Sequence, residues 1–306
     1  GLLDTLLLTQ PRLHAGEGGD AGGDSAGELV VKVARDILGR LPDEFDTDAC
    51  LQKWPITHLE SMNTVLVQEM VRYNRLLAAI KASLEAVIKA IHGEIVMSPQ
   101  LEAVFQSVYD GKLPASWRAI SYASTKPIGA YITDLTARLQ FLQTWYETGP
   151  PGVFWLPGFY FPQSFLTGVL QNAARKSFTE IDALQWDYVV MPRTRPGHSA
   201  ALEGCYVHGL FLEGAAWDRE GGRLTEQRPK ELRPAFPVLW LRPVAKAEDG
   251  GTPLYGCPLY NTSERRGQLS TTGHSSNFIM PVRLPCAETP SHWVKRGAAL
   301  LCQLDD

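Results

Sequence analysis

The densest run of catalytic-type side chains is STTGHSSNF, Ser270 to Phe278, where hydroxyls crowd around His274. A hydroxyl next to an imidazole is the minimum for a base-activated nucleophile. The flanks do not support that chemistry, because no G-x-S-x-G elbow surrounds any of these serines. The run reads instead as a polar turn entering a strand, its hydroxyls satisfying backbone groups. The second place to look is AGEGGDAGGDSAG, residues 15–27, with six glycines, three acids and no base. A phosphate cradle needs backbone amides and cations, whereas Asp20 and Asp24 would repel the ligand. No G-x-x-x-x-G-K-[ST] occurs anywhere in the sequence.

The remaining chemistry-bearing residues are scattered. His14, His58, His92, His198, His208 and His292 form neither H-x-x-x-H nor H-E-x-x-H. The carboxylate pairs Asp43-Glu44, Glu248-Asp249 and Asp305-Asp306 lie at turns or at the end of the sequence, and Arg265-Arg266 reads as a solvated turn. Cys50, Cys205, Cys257, Cys286 and Cys302 are odd in number and contain no C-x-x-C. Neither a disulfide framework nor a zinc site is predicted, and a reducing intracellular setting is expected. Asn261-Thr262-Ser263 matches a glycosylation acceptor that would stay silent without secretion. No catalytic, cofactor-binding or metal-binding residue is assigned.

Elements that would position a site are easier to read. The 306 residues have 44% apolar and 20% charged side chains, the composition of a globular protein with one two-lobed domain or two domains. A net charge of −4 argues against nucleic acid, and no apolar run is long enough for a membrane span. The start, GLLDTLLLTQ, lacks a basic segment before its leucines and is expected to be a cut within a longer protein.

An α+β fold is predicted, with an N-terminal helical lobe followed by a small antiparallel β-barrel or sandwich. Residues 1–56 hold a short helix to about residue 14, a flexible loop over 15–27, and a helix from Glu28 to Leu38 ended by Gly39 and Pro42. Residues 57–180 form the helical lobe. Thr57-His58-Leu59-Glu60 has the form of a capping box. The apolar series Met62, Leu66, Met70, Tyr73, Leu77, Ile80, Leu84, Val87, Ile91 then steps by three or four without a Pro or Gly until Gly93. One helix over about 57–92 would be ~50 Å long, either a bundle core or a helix spanning a larger assembly. Its other faces carry Glu69, Arg72, Arg75, Lys81 and Lys89. Further helices are predicted after Ser98, closed by Gly111, over 128–147, and from Pro162 to Lys176.

Residues 181–306 form the β lobe. Strands are predicted at Tyr188–Met191, Cys205–Leu212, Pro237–Leu241, Leu254–Tyr260, Asn277–Arg283 and Ala298–Leu304, with Trp217 and Trp240 filling it. Phe154 to Pro162 packs five aromatics into nine residues and reads as a core junction between the lobes rather than a ligand pocket. On that reading Trp155→Ala costs about 3–5 kcal/mol.

Several segments in order resemble the C-terminal region of dynein heavy chains: LLLTQPR (Leu6–Arg12), ARDILGRLPDEFD (Ala34–Asp46), ESMNTVLVQEMVRYNRLL (Glu60–Leu77), FWLPGFYFPQSFLTGVLQNAARK (Phe154–Lys176), GLFLEGAAWD (Gly209–Asp218) and LSTTGHSSNF (Leu269–Phe278). The NTVLVQEM run is most similar to axonemal, inner-arm, single-headed types. The resemblance implies a non-catalytic regulatory module lying on the AAA+ ring of the same polypeptide. It implies a long helix bridging ring modules, with nucleotide and microtubule sites upstream. It also implies indirect links to microtubules and other dynein subunits, a location in the ciliary or flagellar axoneme, and an intact motor that is a microtubule-stimulated ATPase. The Gly- and Asp-rich loop departs from the family pattern. The alternative is a stand-alone enzyme with its site near His274.

Overall fold

The computed structural model describes residues 25–192, 199–246, 253–265 and 277–305. The predicted helix over residues 1–14, most of the 15–27 loop, His14, His198, Glu248-Asp249, Arg266, His274 and Asp306 lie outside the described residues.

The fold is mixed α+β. Helix α1 (Ala26–Arg40) opens earlier than predicted because Ser25 makes a true capping box with Glu28, whose amide donates to Ser25 Oγ at 3.3 Å. Then come α2 (Thr47–Lys53), α3 (Ser61–Ile91), α4 (Pro99–Tyr109), the single turn α5 (Ala115–Arg118), α6 (Ile128–Thr148) and α7 (Pro162–Ser177). Ser98 caps α4 as its sequence predicts, accepting from the Leu101 amide at 3.3 Å. At 31 residues, α3 is about 46 Å long. From Met62 to Val87 every member of its apolar series is buried.

Thr57 does not cap α3. Thr57 to Glu60 closes a tight turn bridged between its ends, and Glu60 takes the capping role. Its carboxylate accepts from the Met62 amide at 2.8 Å and from Asn172 Nδ2 on α7 at 2.6 Å, while the Ser61 amide donates back to Asn172 Oδ1 at 2.8 Å. The cap is thus shared between two helices, which a local motif cannot reveal.

The strands are β1 (Val153–Trp155), β2 (Leu184–Val190), β3 (Cys205–His208), β4 (Phe211–Glu213), β5 (Ala216–Asp218), β6 (Arg223–Thr225), β7 (Leu239–Ala245), β8 (Leu254–Tyr260), β9 (Phe278–Pro285) and β10 (Ala299–Leu301), with α8 (Pro290–Arg296) before the last. They make sheets ordered β1-β3-β7-β2 and β4-β10-β8-β9, plus the hairpin β5-β6. Among the described residues no sheet closes into a barrel, and two pairings, β1 with β3 and β10 with β8, are parallel. The single strand predicted over Cys205–Leu212 is broken at Gly209 (φ 92), where the backbone passes from the first sheet to the second. A Cβ there would sit 2.6 Å from Trp155 Cδ1, so only glycine fits. Edge strands β2 and β9 are tied by side chains, Tyr188 Oη donating to the Pro281 carbonyl at 2.7 Å and Arg283 to the Trp186 carbonyl at 3.1 Å. Burial pushes the Tyr188 phenol up to about 12, against the opposing pull of Arg283.

The contacts divide the protein into two compact units. One runs to Asp46 and resumes over Met70–Gln140; the other holds Thr47–Glu69 and Phe141–Asp305. No helix among the described residues is long and apolar enough to cross a membrane.

Candidate functional site: the aromatic junction and the foot of the long helix

Strand β1 delivers Phe154 and Trp155 into a 3-10 turn, Leu156–Gly158, after which Pro162 starts α7 at its favoured first position. Phe159 is the hub. Its ring lies 4.3 Å from Phe165, stacked at 20°, and meets Phe141 and Trp145 edge-on at 5.6 and 6.1 Å. Phe154 adds contacts to Phe165 at 4.7 Å and Trp145 at 5.4 Å. These are favoured aromatic geometries. Trp155 differs. It is half-buried at the margin, held against Phe141 at 6.1 Å and against Gly158, whose Cβ would fall 2.7 Å from Trp155 Cε3.

Glu69 is not on an open face. It is 1% exposed, and its carboxylate accepts the backbone N–H groups of Tyr160 and Phe161, the latter at 3.2 Å. Both amides precede the first turn of α7, where no side chain of the cap itself serves. A carboxylate suits that partly positive helix end. With Gln68 bonded by Ser164 at 3.3 Å and Arg175 donating to Ser61 Oγ at 2.7 Å, the foot of α3 is fastened along α7. Glu69→Ala would leave two amides without their acceptor and is expected to cost roughly 1–3 kcal/mol per buried amide. Glu69→Gln, which keeps one acceptor oxygen, should lose less in a denaturant melt. Equal losses would refute the pairing.

The other predicted positions do not converge. His292 bonds Glu226 at 2.6 Å, a carboxylate that also takes Arg296 at 2.6 Å. His92 faces Glu94 at 3.8 Å, and burial lowers the His208 pKa. Lys81 pairs with Asp43 at 3.7 Å, and Arg72 is half-buried. Trp217 and Trp240 are half-buried rather than core; Trp217 edges a cleft of about 720 Å³ and packs on Phe236 at 5.5 Å, while Trp240 donates to the Glu203 carbonyl at 2.8 Å. All five cysteines are buried and unbridged. Burial raises the thiols of Cys50, Cys205 and Cys286, and that of Cys257 to about 12, so they are held protonated and poorly nucleophilic. Among the described residues no cluster of three or more His, Cys, Asp or Glu could hold a metal ion.

Residues 1–302 fit the C-terminal domain of the dynein heavy chain, and this protein belongs to that family. Its relatives include dynein axonemal heavy chain 12 of Homo sapiens, 48% identical over all of this chain and 10% of the relative. Dynein axonemal heavy chain 3 of Mus musculus is 47% identical over all of this chain and 7% of its own length. Dynein axonemal heavy chain 1 of Homo sapiens is 44% identical over 99% of this chain and 7% of its own length. The 306 residues therefore span a tenth or less of these relatives.

Proposed function

We propose that this protein is the non-catalytic C-terminal regulatory module of an axonemal dynein heavy chain, of the inner-arm, single-headed type. It packs on the AAA+ ring of the same polypeptide and tunes ATP-driven movement along microtubules in the ciliary or flagellar axoneme. Ring modules are its direct partners, with microtubules and other dynein subunits reached through them. The observation that carries the reading is the family match over residues 1–302. A 31-residue helix fastened at its foot, with an uncovered outer face, is the kind of rigid element that can bias relative movement of attached modules.

The direct test uses the 306-residue protein with Mg-ATP. Calorimetry should find no stoichiometric binding at micromolar strength, and ATPase and esterase activities should be at background. An esterase activity that disappears in His274→Ala would replace this reading with the enzyme alternative.

A further inference from the structure

The foot of α3 and helix α7 border a cleft of about 630 Å³, a volume in the range of small-molecule sites. Every residue that lines it lies in the unit holding Thr47–Glu69 and Phe141–Asp305. Two rows of polar side chains border it, Ser61, Thr64 and Gln68 from α3 and Ser164, Gln171 and Arg175 from α7. Hydrogen bonds polarise both rows in the same direction. Arg175 Nη1 donates to Ser61 Oγ at 2.7 Å, and Ser61 Oγ donates to Gln171 Oε1 at 2.9 Å. Ser164 Oγ donates to Gln68 Oε1 at 3.3 Å. Each glutamine thus spends its amide oxygen on a serine and keeps its NH2 for another acceptor. The guanidinium carries five N–H groups, and the bond to Ser61 takes one of them.

The charge around Arg175 is unbalanced. Among the described residues, none that lines the cleft is acidic, and no carboxylate comes within ion-pair distance of Arg175. Glu60 turns to the Met62 amide and Asn172 Nδ2, and Glu69 to the amides of Tyr160 and Phe161. Arg175 is half-buried, and a partly desolvated cation without a counter-charge is costly until an anion joins it. His58 lines the same cleft, whose apolar surface comes from Ile56, Val65 and Phe161.

We propose that this cleft binds a small phosphate monoester. The phosphoryl group sits where Arg175 and Gln171 converge on Ser61, and the organic part runs over Val65 towards Phe161 and the Gln68 amide. Ser61 and Gln68 are two turns apart on α3, about 10 Å, which fits a ligand of one ring or sugar rather than a bare ion. A guanidinium fork flanked by an imidazole suits a dianionic phosphate better than a carboxylate. The site is separate from the mechanical role proposed above and does not depend on it.

The test is a phosphorus NMR titration of phenyl phosphate with the 306-residue protein at fixed ionic strength. Binding should saturate with a Kd of about 1 mM, as for one exposed guanidinium site. Inorganic phosphate, which lacks the organic part, should bind several-fold more weakly, and benzoate, which lacks the dianion, should compete several-fold less well than unlabelled phenyl phosphate. Gln171→Glu keeps an acceptor for Ser61 and sets a carboxylate one helical turn from Arg175. It should weaken phenyl phosphate tenfold or more without lowering the melt. Arg175→Lys, which keeps the charge and loses the fork, should weaken it several-fold. No saturable binding, or affinity unchanged in Gln171→Glu, would overturn the proposal. Benzoate competing as well as phenyl phosphate would overturn the phosphate assignment, and a phosphotyrosyl peptide binding more tightly than phenyl phosphate would overturn the small-molecule assignment.

Discussion

Arg138→Ala is expected to destabilise the 306-residue protein by about 3–5 kcal/mol, as when one partner of a buried ion pair is removed. Arg138 is 1% exposed on α6, its Nε donates to Asp134 Oδ2 at 2.6 Å one turn away, and its guanidinium lies 3.8 Å over the Tyr122 ring. Burial pulls its proton affinity down, but the Asp134 carboxylate and a hydrogen bond to Tyr73 more than offset this, so the group stays charged. The same burial drives the Tyr122 phenol well above its ordinary range, so Tyr122 faces the cation as a neutral ring. Truncation leaves the nearly buried Asp134 carboxylate without this partner and opens a void. Removing both charges together, as Asp134→Asn with Arg138→Met, should cost clearly less than Arg138→Ala alone, because no unpaired charge remains. Guanidinium melts with an unchanged slope would measure both. A single-mutant loss below about 1 kcal/mol would place the pair in the class of surface bridges.

The second large effect lies in the aromatic cluster. Phe159→Ala should cost about 3–5 kcal/mol, the usual loss for a fully buried phenylalanine. Its ring contacts four others, and none of them can fill the space without leaving its own partners. Trp155→Ala should cost less than Phe159→Ala, because part of the indole already faces water and less area is lost. That reverses the weight the sequence places on Trp155. Identical denaturation midpoints for the two variants would mean that Phe159 is not the hub.

Sequence was informative where the physics is local. Ser98-Pro99 fixes the start of α4 by capping, and the apolar series of α3 fixes its buried face over the length of the helix. The strand Leu254–Tyr260 falls where its turn residues bound it. It was uninformative where partners are remote. Glu69 looks like any surface glutamate, because the groups it accepts from are backbone amides 91 and 92 residues away. Glu60 caps α3 jointly with Asn172, 112 residues on. Short elements such as α2, α5, α8 and the β5-β6 hairpin carry too few residues for a periodic signal, and the parallel pairing of β1 with β3 depends on a crossover through α7 and β2. The chemistry was legible mainly as scattered residues, and the described positions keep them scattered.

On the function proposed, this module acts on its motor mechanically and contributes no chemistry of its own. The most direct test is a full-length axonemal motor with Arg75→Glu, Glu85→Arg and Lys89→Glu introduced together. Arg72 and Lys81 are half-buried, whereas these three lie on the exposed face of α3. The melt of the 306-residue protein should stay within about 0.5 kcal/mol, as for other surface changes. Gliding velocity or stall force of the motor should change on the order of twofold or more, the low end of what altered coupling between modules produces. Unchanged ATPase, velocity and force in that motor would contradict a mechanical role and leave the module a passive cap.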